Sequence, residues 1–317
     1  MTKTIIIDTH VLYDIGLNNV SIKDVRKPGE RLCYSPISVI ELVSKLDDRS
    51  FDDRKAAAGA ILMHGIHELP DPESHLTNTF GYKLAEPAPS YADAVLALAE
   101  GHCLDEVKRG IPDYGNLVRR TLNVPFAATW RDKGEREWVD SLIHLMVENI
   151  PRFRKWYATD SDRRSPSVPK LRGDEKQRFL AGMRSREWFA QVIAGCQMRA
   201  FIKADNRALG RITRKKVDDL VAAIPKIECF THIYTQYLVR LMTEGLLPRQ
   251  NDSGDIDLFL YSTDDDHIVA TNEKKWIALA ESAGFTRRIR TYGHRHGMAE
   301  RQCDHNCPYE EAARYRH

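Results

Sequence analysis

Thr4-Ile5-Ile6-Ile7-Asp8-Thr9-His10-Val11-Leu12 opens the chain with a short apolar run closed by a carboxylate. Near the other end, Ile268-Val269-Ala270-Thr271-Asn272-Glu273 repeats the pattern. Short apolar runs bounded by polar residues read as strands buried on both faces of a parallel sheet. If these two are neighbours in such a sheet, their carboxyl ends bring Asp8 and Glu273 to one rim, where open α/β folds place their sites. Two further apolar runs adjoin acids: Ile37-Ser38-Val39-Ile40 leads into Glu41, and Asp257 opens Leu258-Phe259-Leu260-Tyr261.

The rest of the chain bounds what surrounds these runs. Its 317 residues exceed one typical domain, so an enlarged domain or a domain carrying a large insertion is expected. A hydrophobic content of 42% supports a core. The 47 basic and 45 acidic residues leave a net charge of +2, so any case for a nucleic-acid or membrane partner rests on local patches. No apolar run approaches the roughly 20 residues needed to cross a bilayer, and the apolar part of the N-terminus is too short for a secretory signal. The expectation is a cytoplasmic chain with no membrane partner, whose six cysteines are reduced thiols.

Three sections follow from the patterning. Residues 1–70 read as a strand at 4–7, a helix beginning near Ser38, an Ala-rich helix through Arg54–Leu62 and a short strand at His67-Glu68-Leu69 that stops at Pro70. Residues 71–247 read as a mainly helical insertion, with helices at 135–150 and 229–243 and a polar, proline-bearing loop at 159–169. Residues 248–292 return to alternation: a helix from Asp257, a strand at 268–271, a helix through Trp276 and a last strand near Ile289. Residues 293–317 form an irregular tail. The fold class is α/β, a parallel sheet flanked by helices with a long all-helical insertion between its halves.

In this setting the chain resembles the PIN-domain nucleases. The residues that carry the resemblance are Ile5-Ile6-Ile7-Asp8-Thr9-His10, Ser38-Val39-Ile40-Glu41-Leu42, Asp255-Ile256-Asp257-Leu258 and Val269-Ala270-Thr271-Asn272-Glu273, in that order. The resemblance covers the two flanking sections only. It implies a PIN-like sheet, catalytic acids at Asp8, Glu41, Asp257 and Glu273, and Mg²⁺ or Mn²⁺ held by these together with Asp255; both Asp255 and Asp257 stand where the third acid belongs, and Asp257 is favoured because it directly precedes the apolar run. Asp255 is then a supporting ligand or a helix cap, with Thr9, Thr271 and Asn272 in support. It also implies endoribonuclease activity on RNA, as a toxin or a defence effector, with an inhibitor or defence-system partner protein and a homodimer among its associations. Two departures stand out: the last acid is Glu273 where the family more often has Asp, and His10 stands where Asn is common.

Carboxylates are hard oxygen ligands suited to Mg²⁺ or Mn²⁺, and crowded acids without a cation repel one another and take up protons. Each acid also has a plainer reading. Asp8 can cap the segment after its strand, and Ser38-Val39-Ile40-Glu41 fits a capping box. Asp255 and Asp257 suit any helix N-terminus, Glu273 can simply begin the helix containing Trp276, and Asp264-Asp265-Asp266 reads as a solvated loop. A non-catalytic PIN-like scaffold is the alternative function. A phosphatase of the haloacid-dehalogenase type wants a second Asp two residues past Asp8, where this chain has His10.

Two basic clusters offer phosphate contacts: Lys203, Arg207, Arg211, Arg214, Lys215 and Lys216, and the acid-free set Arg287, Arg288, Arg290 and Arg295. The second follows Glu273 closely, so Arg287, Arg288 and Arg290 are the expected nucleic-acid contacts. Core packing is the reading for most of Tyr82, Tyr91, Trp130 and Tyr292. Cys303-x-x-x-Cys307 with nearby His allows zinc in the tail, but four well-placed ligands are not evident and no zinc is expected there.

Overall fold

The computed structural model describes residues 2–43, 46–80, 91–111, 224–244, 246 and 252–293, with isolated positions between 173 and 181. Five strands form one sheet: β1 Thr4–Ile7, β2 Arg31–Tyr34, β3 His67–Glu68, β4 His267–Ala270 and β5 Ile289–Arg290. Their order is β3-β2-β1-β4-β5 and every pairing is parallel. The first run is thus the central strand, and Ile5 lies between Leu32 of β2 and Ile268 of β4.

Helices cover both faces, which is why the strands are apolar throughout instead of alternating. On one side Ile5, Ile7, Leu32 and Ile268 share a core with α1 (Thr9–Gly16), α3 (Pro36–Val43) and α4 (Phe51–Met63). On the other, Ile6 and Val269 pack with Phe259, Leu260 and Trp276. A Cβ added at Gly16 would stand 2.5 Å from the carbonyl of Ala56, so α1 and α4 touch backbone to backbone. The small side chains of Ala56-Ala57-Ala58 therefore serve close packing as well as helix propensity.

Several expected elements shift. Residues 1–70 also contain α1, the short α2 (Ile22–Val25) and β2, none of which the sequence reading had placed. The helix expected near Ser38 begins at Pro36: Ser35 Oγ accepts the Ile37 N–H at 3.2 Å, and a proline suits the first helical position. Ser38 is then fully buried with no partner for its hydroxyl, and the capping box does not form. The helix expected from Asp257 starts earlier, as α9 (Asp252–Asp257), and Leu258–Tyr261 continue as a buried 3-10 turn.

The described parts of 71–247 are helical and strand-free: α5 (Pro72–Phe80), α6 (Ala92–Glu100), α7 (Leu104–Gly110) and α8 (Glu228–Glu244). They do not stand apart from the sheet. Tyr91, Val95, Leu98, Val107 and Ile111 belong to the Ile5 core, and Phe230, Ile233, Tyr237 and Leu241 to the Ile6 core. Boundaries at 71 and 247 therefore cut through shared cores, because α6, α7 and α8 supply part of the sheet's cover. The last helix is α10 (Lys274–Ala283), closed by Gly284 at φ 83°, a left-handed position that glycine fills without strain.

The expected helix at 135–150, the loop at 159–169, the basic cluster at 203–216, Tyr82, Trp130 and the cysteines and histidines from 294 onward lie outside the described residues. Among the described residues, no helix is long and apolar enough to cross a membrane, and Cys33, Cys103 and Cys229 are free thiols.

Candidate active site

Parallel strands deliver their following residues to one rim, and the site is built there. Asp8 follows β1, is 4% exposed and caps α1. Its carboxylate accepts the His10 backbone N–H at 3.1 Å and the Thr271 hydroxyl at 2.9 Å. Thr271 follows β4, and its oxygen also accepts the Glu273 N–H at 3.1 Å. One threonine therefore ties the ends of two neighbouring strands and sets where Glu273 begins.

Glu41 comes from α3, and its carboxylate accepts the hydroxyl of Thr9. Because Ser35 caps that helix, Glu41 is not drawn back to its own N-terminus. Its backbone is fixed from behind: Arg54 of α4, 5% exposed, donates from one guanidinium nitrogen to the carbonyls of Glu41 at 2.5 Å and Leu42 at 2.9 Å. Glu273 stands at the start of α10 without capping it, and His10 Nε2 donates to its Oε1 at 3.2 Å. A recess is lined by Asp8, Asp255, Thr271 and Trp276 with three apolar side chains.

The third acid is distinguished by its surroundings. Asp255 feels the negative fields of Glu273, Glu41 and Asp8, whereas Asp257 is wholly buried, with both oxygens unpartnered and no charged neighbour acting on it. Residues two apart on a helix point about 200° from one another, so only one of the two can face the rim. The reading that favoured Asp257 is corrected here: it points into the core, and Asp255 joins the cluster.

Electrostatics match this crowding. Burial, followed by the neighbouring acids, raises Asp255 well above the usual carboxylate range. Burial also raises Asp8, against the pull of His10, and pushes Glu41 up to about 7. The hydrogen bond to Glu273 pushes His10 up to about 10 although its side chain is 65% exposed. Glu273 is raised by burial, but His10 and Lys275 more than offset this and hold it below its ordinary value. Lys275 itself is bound to Asp252 and lies over the rings of Tyr237 and Trp276, with Tyr237 donating to Asp252 at 2.7 Å.

For Glu41, a folded-state value above the unfolded 4.5 means that the folded protein holds the proton more tightly, so stability is lost as pH rises from 4.5 to about 7. Asp8 and Asp255 act in the same direction, and His10 adds stability that is lost above its unfolded 6.5. The metal-free protein is therefore expected to have a lower thermal midpoint at pH 8 than at pH 5.5, as read by circular dichroism in chelator.

The remaining expected residues divide. Asn272 spends its side chain on the backbone of Tyr292, donating to its carbonyl at 3.0 Å and accepting its N–H at 3.1 Å, while the Tyr292 hydroxyl donates to Asp14 at 3.0 Å. It staples the chain after β5. Arg288 pairs with Asp265 at 2.9 Å, just before β4. Arg290 forms a two-pronged pair with Glu30, at 2.5 and 2.7 Å, just before β2. Both side chains thus reach partners at the rim where strands begin, opposite the acids, although Arg290 itself closes β5 level with Ala270. Arg287 is exposed on the turn before β5. Arg290→Gln is expected to cost about 1–3 kcal/mol in a denaturant titration, since Glu30 loses its partner.

Sequence reasoning gave no role to His10 or Arg54. His10 carried a signal, two residues past a strand-ending acid on the first turn of a helix. Arg54 carried none, since its partners are backbone carbonyls.

Chemically, the site offers oxygen donors that crowd and repel, a set suited to a hard divalent cation. Among the described residues, no three His, Cys, Asp or Glu side chains are grouped closely enough to hold an ion by themselves. The set fits an ion that keeps part of its water and is reached by one or two carboxylates, as Mg²⁺ commonly is. Compared with known proteins, the chain matches no family model, no curated protein and no solved structure.

Proposed function

We propose that this protein is a Mg²⁺- or Mn²⁺-dependent phosphodiesterase that cuts within RNA chains, in the manner of the PIN-domain nucleases it resembles. One observation carries the reading: Asp8, Glu41, Asp255 and Glu273, drawn from four separate elements, lie at the carboxyl rim of a parallel sheet within one another's fields. Stability alone does not account for burying mutually repelling acids, and a divalent cation resolves the repulsion.

The chain's own residues divide the work. Asp8 and Asp255 form the acidic floor of the recess, Glu41 and Glu273 act on them through their fields, and Thr9 and Thr271 hold Glu41 and Asp8 by their hydroxyls. Bound there, a divalent ion supplies an activated water and offsets charge on the attacked phosphate. Thr271 and Arg54 keep the carboxylates in place before substrate arrives, which limits the rearrangement needed.

A second reading has its own support. Glu273 is already paired with His10, and no three ligating side chains are grouped among the described residues, as a scaffold that has lost catalysis would show. Incubation with total cellular RNA and Mn²⁺, followed by mapping of new 5′ ends, separates the two. Discrete ends that vanish with chelator are expected; RNA left intact at all Mn²⁺ concentrations would favour the scaffold. A role as toxin or defence effector, an inhibitory partner and a homodimer belong to this proposal through the resemblance.

A further inference from the structure

Two nitrogen donors flank the acidic cluster, and they are placed differently. Lys275 is held by Asp252 and by two aromatic rings. His10 faces outward: its ring is 65% exposed, whereas Asp8, two residues before it, is 4% exposed. The ring is also well anchored, because the His10 backbone N–H is bound to Asp8 and its Nε2 to Glu273. It therefore spans from the first turn of α1 to the start of α10, beside Asp8 and Glu273.

A polyanion approaching buried carboxylates meets repulsion, and a donor at the mouth is what allows it to stay. Arg288 and Arg290 do not supply it, since their partners stand at the other rim. We propose that the His10 imidazole N–H is the group that binds a non-bridging oxygen of the substrate's phosphodiester, an inference that rests on the phosphodiesterase reading above. The Glu273 carboxylate oxygen and a phosphate oxygen are the same kind of acceptor. The N–H that holds Glu273 is thus freed for phosphate when Glu273 turns to a cation. His10 is a substrate contact, not a ligand of the ion, and it is a position where this chain departs from the family it resembles.

The test uses the full chain and three proteins: wild type, His10→Ala and His10→Arg. KM and kcat are measured on a short single-stranded RNA with Mn²⁺, and the affinity for Mn²⁺ alone is measured by calorimetry without RNA. Loss of one charged hydrogen bond predicts a KM about tenfold higher in His10→Ala, with kcat changed less and Mn²⁺ affinity equal or tighter because Glu273 is released. His10→Arg, which keeps an exposed donor, recovers most of the KM. An unchanged KM overturns the proposal. So does a parallel loss of Mn²⁺ affinity, which would mean that His10 only arranges Glu273. A wild-type protein that neither binds Mn²⁺ nor cuts RNA removes the phosphodiesterase reading itself, whereas an active wild type with a silent His10→Ala removes this inference alone.

Discussion

Asp8→Asn is expected to lower Mn²⁺-dependent RNA cleavage by at least about a hundredfold and, in the same preparation, to leave the protein folded and slightly more heat-stable in chelator. The two effects have one cause. Asp8 is buried among acids that repel it, so an uncharged side chain of the same shape relieves the cluster. Asn is also as good a helix cap as Asp, so the His10 N–H keeps its acceptor. The same uncharged group no longer draws a cation to the floor of the site. Cleavage rates with Mn²⁺ and thermal melts at pH 8 measure both. Full activity in a folded Asp8→Asn protein would remove the metal-dependent reading.

The second large effect separates neighbours. Asp255→Asn should lose cleavage as Asp8→Asn does, while Asp257→Asn keeps its rate within about threefold and gains stability. Asp257 is fully buried without a hydrogen bond, and burial alone raises it well above its unfolded value of 3.8. The folded state holds that proton, the unfolded state releases it, and the penalty on folding grows as pH rises above 3.8. Asn has no proton to lose, so Asp257→Asn is expected to stabilise the fold at pH 7, with the gain fading toward pH 3.5, as urea titrations at the two pH values would show. Cleavage lost in Asp257→Asn and kept in Asp255→Asn would reverse the assignment.

This pair shows what sequence could and could not carry. The runs at 4–7 and 268–270 are legible as strands because sheets covered on both faces leave continuous apolar stretches, and β1 does lie beside β4. Choosing between Asp255 and Asp257 was a question of helical phase. Phase depends on where α9 begins, and nothing near Asp252 marks that start plainly. Glu41 was obscured in the same way: Ser38 imitates a cap, but Ser35-Pro36 starts the helix first. β2 escaped notice because Arg31-Leu32-Cys33-Tyr34 is short and opens with a charge. The arginines' partners were not readable either: Arg290 closes β5 level with Ala270, yet its side chain is taken by Glu30, as that of Arg288 is by Asp265, and closeness in sequence to Glu273 does not reveal such pairings. The helical nature of 229–243 was clear from its period, but periodicity says which face of a helix is buried and not what buries it. That Phe230 and Tyr237 meet Ile6 and Val269 was therefore not readable.

The central strand is made first, and one of its two partners is made almost last. The bond from Thr271 to Asp8 spans 263 residues of chain. During translation β1 can pair early with β2, but its other edge stays bare until β4 has left the ribosome. Closing so long a connection is slow and comes late in folding. Asp255 and Glu273 reach the rim in that same closing step, so a nascent chain carries an incomplete acid cluster through most of its synthesis. On the proposed function, such a chain gains its site only once its synthesis is nearly done.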